Sequence, residues 1–477
     1  MNYRLRYKVE LVERDGEYFL MSKTPLSVLR LNRSLAELVG RGADGALISA
    51  SAAEEKIMEQ LTTKGFAERV RIVTEQSSQL PQVSIVIPVM NRAEELRRCL
   101  KSLALLNYPE EKLQIIVVDD GSSDDSSEVA RGLGALVVLS GGTGRGPAAA
   151  RNVGAAIASG EILAFIDSDC TASSSWLDEL VPAFADPKIV AVGGLVDGMC
   201  HESSVDHYEN VMSSLSLGGR ELSGGSGDDT FYLPSCNMLV RRAPFQNAGG
   251  FNDTMHVGED VDLTWRLRDS GWTITYLPIG KVYHAHRSSI RSFMSRRFDY
   301  GTSEGMLQRL HPRRHKRIVI PPMLALILFL CLSAPYLGWW LLGAGALLIV
   351  VDAAIVRVRL QRSELAINLP SLIAGRLRAL WSLGYYLSYH LLRYYAPLLF
   401  LLTLVEPRFT PLVLAIIVCA AAVDHSVRKP QLSLISFGAI YLLEQIAYGA
   451  GVFWGCLRGR TFASYRVEIL RQMVLTA

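Results

Sequence analysis

The chain has few of the patterns that would give its seven cysteines a joint purpose. Cys99, Cys170, Cys200, Cys236, Cys331, Cys419 and Cys456 form no C-x-x-C pair and no framework spacing. That argues against a zinc ribbon or a disulfide-stapled fold and predicts free thiols in a reducing compartment. Net charge is scarce as well. Lys and Arg total 49 against 46 Asp and Glu, leaving +3, so bulk electrostatics imply no nucleic-acid partner. The opening MNYRLRYKVE has no hydrophobic run; no secretory signal is expected there, and the soluble part is expected in the cytoplasm. Neither G-x-x-x-x-G-K-[ST] nor a G-x-G-x-x-G in a first βα turn occurs, which disfavours P-loop and dinucleotide chemistry.

What the chain has in excess is apolar residues, 49% of 477, with a mean hydropathy of +0.22. They concentrate in residues 320–459, and this distribution predicts three segments. In residues 1–75, VELVERDGEYFLMS reads as two strands around an Asp15-Gly16 hairpin turn. TPLSVLRLNRSLAELVGRG and SASAAEEKIMEQLTTKGF follow with helical spacing, and TEQSSQLPQ reads as a linker. In residues 81–312, VSIVIPV, LQIIVVDD, ALVVLS and EILAFIDSD are apolar runs suited to buried parallel strands. EELRRCLKSLALL and PAAARNVGAAIASG supply helices between them. That rhythm predicts an open α/β sheet with its ligand at the carboxyl ends of the strands.

Residues 320–477 follow a basic cluster, HPRRHKRIVIPP. Met323 to Val356 carries one charge, Asp352, and a turn at SAPYLGWW, the pattern of a helical hairpin inserted in a membrane. Tyr336, Trp339 and Trp340 would mark the far interface, and Arg357, Arg359, Arg376, Arg378, Arg428 and Lys429 favour cytoplasmic ends. The alternative is a set of interfacial or buried helices, because several runs are short for a span.

The chemistry gathers at the strand ends. Asn91 and Arg92 follow the first run, Asp119, Asp120 and Gly121 the second, and Asp167 and Asp169 the fourth. Asp167 and Asp169 are one residue apart on the same side of an extended chain, where two like charges need a cation between them. Hard divalent cations prefer such oxygens, and Mg²⁺ is commonly shared between carboxylates and a diphosphate. Gly141, Gly142, Gly144 and Gly146 lead into a helix, a place for an anion or simply a flexible turn. His284 and His286 in YHAHR could complete a metal site or serve the fold, with His286 the candidate ligand.

Four stretches in order resemble the motifs of family 2 glycosyltransferases with the GT-A fold: VSIVIPVMNR, IIVVDDGSSDDS, GPAAARNVGAAIASGEILAFIDSDC and GEDVDLTWRLRDSGW. The resemblance covers about residues 81–300 and implies a nucleotide-sugar donor, a divalent metal (Mg²⁺ or Mn²⁺) and inversion at the anomeric carbon. Carried over by position, it implies that Pro88, Asn91, Asp119 and Asp120 line a uridine pocket and that Arg151 and Asn152 hold the donor side. Asp167 would lie toward ribose and metal, and Asp169 would be the principal metal ligand. GED places the catalytic base at Asp260, with Glu259 able to share it; both acids also suit a helix N-terminus. Cys236 and Asn237 fall in the acceptor-side segment, whereas Cys170 reads as a packing residue. Arg296 and Arg297 could neutralise the leaving diphosphate or form a solvated basic face. The Q-x-x-R-W signature of processive synthases is absent.

The first segment resembles the RiPP recognition elements, the PqqD-like peptide-binding modules, through GEYFLMSKTPLSVLRLNRSLAELV. That resemblance implies a leader peptide bound as an added strand; the alternative is a plain winged-helix-like spacer. Front end, GT-A core and hydrophobic tail in this order are similar to the glycosyltransferases of mycofactocin systems. This implies glucose transfer from UDP-glucose onto a peptide-derived redox-cofactor precursor, at the inner membrane with the catalytic domain facing the cytoplasm. The remaining readings are a transferase for exopolysaccharide or lipid-linked glycan, whose tail presents a membrane lipid, and an inactive membrane-anchored peptide-binding adaptor.

Overall fold

The structure, a computed structural model, describes residues 2–6, 9–14, 16–23, 26–42, 46–70, 80–225, 229–314, 316–362 and 367–470. The chain forms two compact units. One joins Met1–Gln76, Ile318–Leu387 and Ile469–Ala477, and the other joins Ser77–Arg317 and Ser388–Glu468.

In the larger unit eight strands form one sheet: β1 (Val83–Val89), β2 (Leu113–Asp119), β3 (Leu136–Leu139), β4 (Ile162–Ile166), β5 (Ile189–Gly193), β6 (Leu222–Gly224), β7 (Asn237–Arg241) and β8 (Thr273–Tyr276). Their order is β6-β8-β5-β7-β4-β1-β2-β3. The run β4-β1-β2-β3 is parallel, and β7 is antiparallel to both neighbours. Alternation divides β1 between two cores. Val83, Ile85, Ile87 and Val89 pack with Leu96, Cys99, Leu100 and Leu103, the apolar stripe of α1 (Ala93–Leu103). Val86 packs on the other face with Val118, Phe165 and the alanines of α2 (Pro147–Ile157). Helices therefore cover both faces, as the unbroken apolar strands require. Further helices of this fold include α3 (Ser204–Met212), α4 (Glu259–Asp269) and α5 (Ile290–Leu310). A second, three-stranded sheet pairs Val282–His284 with Cys170–Ala172 and Val196–Gly198.

In the first segment Val9–Arg14 and Glu17–Lys23 form the expected hairpin; Asp15 and the linker residues 71–79 lie outside the described residues. One expectation fails. Leu26–Leu31, in a stretch read as helical, is a third strand antiparallel to Glu17–Lys23. Its Leu29 and Leu31 meet the core two residues apart, the period of a strand, and the helix starts only at Arg33 after the Asn32 cap. Tyr3, Leu20, Leu38, Ile48, Met58 and Phe66 close a single small core.

The apolar region supplies α6 (Pro322–Leu337), α7 (Trp340–Arg362), α8 (Leu369–Val405), α9 (Thr410–Arg428) and α10 (Leu434–Arg458). The hairpin at 323–356 is present, with Gly338 between its helices. Among the described residues three stretches, Trp340–Gln361, Pro407–Arg428 and Leu434–Arg458, are long and apolar enough to cross a membrane, while Pro322–Leu337 is shorter. Asp352 pairs with Arg376 of α8 at 2.7 Å, so that arginine neutralises a charge among apolar helices rather than only marking an end. Arg314 of the basic cluster is buried, on Asp269 at 2.5 Å, whereas His315 lies outside the described residues.

α2 is seated so closely that a Cβ on Gly154 would stand 2.4 Å from Val86 Cγ1. Gly154→Ala should therefore cost about 1–3 kcal/mol through overpacking, read as a lower thermal midpoint of the purified protein.

Candidate active site

β1 ends at Val89, and the next residues turn sharply: Asn91 adopts a left-handed φ of 53°. The strain is met by partners. The Asn91 side-chain oxygen accepts from Ser123 N at 2.7 Å, and its own N–H donates to Ser122 Oγ at 3.0 Å. β2 ends in two acids with different surroundings. Asp119 holds its own turn, accepting from Gly121 N, Ser122 N and Ser127 Oγ. Asp120 accepts from Ser140 Oγ at 2.6 Å, Gly146 N at 2.8 Å and Arg145 N at 3.1 Å. The glycine-rich loop therefore wraps a carboxylate of its own chain. Its backbone N–H groups at 145 and 146 serve Asp120, which leaves the turn reading favoured over the anion reading.

β4 delivers Asp167, Ser168 and Asp169. Both acids have cationic partners on the protein. Arg151 Nη2 donates to Asp167 Oδ1 at 2.6 Å, while Arg92 donates to Asp169. His284 Nε2 lies 3.6 Å from Asp169 Oδ1. Burial alone would raise Asp169, but His284 and Arg92 outweigh it and hold the carboxyl below its ordinary range. Asp169, Cys170 and His284 each offer a ligand atom within 4.8 Å of the others. His284 Nδ1 is buried without a hydrogen-bond partner. A carboxylate and an imidazole nitrogen fit a divalent cation, whereas burial pushes the Cys170 thiol up and keeps it a packing group rather than a ligand for a hard ion. His286, the predicted ligand, is next to this group, its ring 4.8 Å from that of His284. Burial and the neighbouring His284 push it down to about 3, so it is neutral.

α4 begins at Glu259 after Gly258, whose φ is 84°. Arg151, 3% exposed at its side chain, reaches Glu259 Oε1 at 2.8 Å with the nitrogen not used by Asp167. One buried fork thus joins the end of β4 to the start of α4. Asp260 has no such partner among the described residues, where it accepts from Ser235 N at 3.1 Å and Val261 N at 2.8 Å. Burial, then the adjacent Glu259, raises it to about 7. Adjacent acids with such different surroundings are the usual mark of separate roles.

These groups face one cavity of about 1160 Å³. Of the sequence-predicted residues, Pro88, Asn91, Asp120, Arg151, Asp167, Asp169, Cys236, Glu259, Asp260, His286, Arg296 and Arg297 line it. Asp119, Asn152 and Asn237 do not. Asn152 clasps Phe251 through N–H and carbonyl at 2.9 and 2.8 Å. Asn237 is fully buried, accepting from Trp176 Nε1 and donating to Leu195 O and Gly280 O. Arg297 pairs with Glu209 at 2.8 Å, whereas Arg296 lies over the Tyr300 ring and makes no ion pair among the described residues. The far wall contains residues that no motif signalled, Glu304, Lys316, Tyr389, Arg393, Tyr394 and Tyr448. Glu304 accepts from Tyr394 and Tyr448 at 2.7 Å each and pairs with Lys316 at 2.7 Å.

Removing the fork tests its role. Arg151→Met should cost about 3–5 kcal/mol, because it strands Glu259 as an unpaired buried charge, and Arg151→Lys should recover only part. Chemical denaturation of the three proteins measures this.

Residues 84–249 match the family described as Glycosyl transferase family 2. The chain is 32% identical over 406 residues to the pre-mycofactocin glycosyltransferase of Mycobacterium tuberculosis, covering 81% of this chain and 82% of that protein. It is also 32% identical over 209 residues to glycosyltransferase AglE of Haloferax volcanii, covering 42% and 66%. Among solved structures, a mannosyltransferase from Pyrobaculum calidifontis in complex with GDP-Man and Mn²⁺ aligns at 21% identity and a TM-score of 0.41, over 69% of this chain and 95% of that one. With a long relative above 30% identity and a cleft of strand-end carboxylates, the chain belongs to the family 2 glycosyltransferases and is a transferase enzyme.

Proposed function

We propose that this transferase moves glucose from UDP-glucose onto a peptide-derived redox-cofactor precursor of the mycofactocin type. The observation that carries the reading is the 32% identity, sustained over 82% of its length, to a protein named for that acceptor. The cavity supports it chemically, since about 1160 Å³ exceeds the usual range for one small ligand and suits donor and acceptor together.

In this reading Pro88, Asn91 and Asp120 bound the uridine end. Asp169 and His284, with Asp167 alongside, would hold a Mg²⁺ or Mn²⁺ ion, which when bound neutralises the diphosphate. Asp260 takes the proton from the acceptor hydroxyl as that oxygen attacks C1. The new C1–O bond forms while the C1–O bond to the diphosphate breaks, with inversion, and UDP leaves carrying the electron pair. Arg296, a cation without a carboxylate partner, stands available to the leaving group. Cys236 belongs to the acceptor side. Asp119, Asn152 and Asn237 act through the loops they hold. Among the described residues Val9–Arg14 and Leu26–Leu31 are the edge strands of the N-terminal sheet, where a leader peptide would add as a strand. In this reading the enzyme sits at the inner membrane, in contact with lipid, with its cleft in the cytoplasm; the helices long and apolar enough to cross a membrane support the membrane part of it.

Purified enzyme should release UDP from UDP-glucose only when Mg²⁺ or Mn²⁺ and the acceptor are both present, with the product identified by mass. Asp260→Asn should keep donor binding and lose transfer by about 10²–10⁴-fold; transfer at the full rate would sink the base assignment. A base raised to about 7 is protonated, and idle, below that pH. Transfer should therefore fall roughly tenfold per unit below pH 7 and level off above it, and Asp260→Asn should abolish this limb of the profile.

A further inference from the structure

α10 has 25 residues, enough at about 1.5 Å per residue to cross a bilayer. Its neighbours argue against an upright position. α5 runs parallel to it and in step. Arg297 Nε stands 3.5 Å from Glu444, a Cβ on Gly301 would stand 2.2 Å from Tyr448 O, and one on Gly305 would stand 2.9 Å from Gly455 O. α5 carries Arg291, Arg296, Arg297, Asp299, Glu304 and Arg309, and Arg296, Tyr300 and Glu304 line the cavity that holds Asp260. An upright α10 would draw α5 to the same depth, bringing its charges and an aqueous cavity into hydrocarbon. Each charge near the centre would cost about 2.5–3.5 kcal/mol even on the mildest scale. The N-terminal half of α10 is flanked by the core as well. Tyr208 of α3 donates to Glu444 at 2.6 Å, and its ring lies 5.1 Å from Phe437.

The opposite face is different. Ile435, Ile446, Phe453 and Leu457 recur at i, i+11, i+18 and i+22, a single helical stripe on which Leu442 and Ile446 are half-buried, Leu442 against the cluster of Ala420, Ala421 and Tyr441. Ile435, Phe453 and Leu457 are exposed. Near its end Arg458 lies over the Trp454 ring at 5.2 Å, the amphipathic pairing that collects at headgroup level. Burial separates this helix from the other two candidate spans: 44% of its apolar window is buried against 22% for each of them.

We propose that α10 does not cross the membrane but lies along its surface, with the outer stripe in the headgroup–acyl boundary and the inner face against the catalytic core. The occupant of the stripe is lipid, because α9, which adjoins α10 through Ala420, Ala421, Phe437 and Ile440, is itself apolar enough to span. The proposal rests on the membrane association of the proposed function but not on its donor or acceptor. It puts Tyr448, in the cavity wall, within one helix diameter of lipid, about 10 Å.

Nitroxide labels test this in the full chain, reconstituted in phosphatidylcholine–phosphatidylglycerol vesicles. Ile435→Cys, Ile446→Cys and Leu457→Cys are labelled one at a time, with the signal of the unsubstituted chain subtracted. Successive positions are about 16 Å apart on one stripe. A helix lying on the surface gives three shallow depths within about 5 Å of one another. A crossing helix places the label at 446 about 16 Å deeper than its neighbours, and that result overturns the proposal. Labels shielded from both oxygen and a water-soluble relaxant, as a second copy of the chain would cause, overturn it too, as do labels freely wetted at all three sites. Ala450→Cys, exposed on the same face, repeats the middle position with less disturbance of packing.

Discussion

The site depends on one buried guanidinium. Arg151 spans Asp167 and Glu259, residues separated by about half the catalytic core in sequence, with one nitrogen for each. A planar fork can do this, whereas an ammonium would have to choose. The same choice of partners explains why Asp260 differs from its neighbour. The guanidinium is committed to Asp167 and Glu259, so Asp260 sits beside a carboxylate with only two backbone N–H groups for support. Burial then raises it to about 7, the range in which a carboxylate is a useful base at neutral pH. A direct ion pair at Asp260 would have kept it ionised but made it a poorer proton acceptor.

The two carboxylates of the strand end pose the opposite problem. They repel if left together, and each is given its own cation, Arg151 for Asp167 and Arg92 for Asp169. In the proposed reading, a divalent ion bound with a diphosphate would meet two carboxylates that already have cations of their own. Arg92 follows Asn91 in the strained turn at the end of β1. The conformation that turns the chain there also brings its guanidinium to Asp169.

How much of this was legible in sequence depended on distance along the chain. The alternation of apolar strands and helices marked the parallel run β4-β1-β2-β3 of a mixed sheet, and the polar groups after each strand marked one edge of the cleft, because both are local patterns with fixed periods. Leu26–Leu31 was misread because six residues ahead of a capped helix fit either period. The glycine-rich loop was ambiguous because spacing does not reveal that Asp120, twenty residues earlier, uses its N–H groups. His284 and His286 are indistinguishable by type; only the pairing of Val282–His284 with Cys170–Ala172 sets the first of them opposite Cys170, with its ring 3.6 Å from Asp169. Asn152 and Asn237 looked like ligand-facing amides; Asn152 is instead held by the backbone of Phe251, and Asn237 by two backbone carbonyls and the Trp176 indole. Glu304, Tyr394 and Tyr448 left no local signal at all.

That last group changes what the hydrophobic tail is. Residues read as a membrane anchor supply a wall of the cavity and satisfy charges of the core. Glu444 accepts from Tyr208 and faces Arg297, while Gln445 accepts from Arg393 at 2.8 Å and Arg393 stacks on Tyr448 at 3.5 Å. Without these helices Arg297 would keep Glu209 but lose its second carboxylate, and Glu304 would lose both of its tyrosines. Buried polar groups left in that state cost about 1–3 kcal/mol each. The apolar helices therefore also shape the cavity, and the core does not carry its complete site alone.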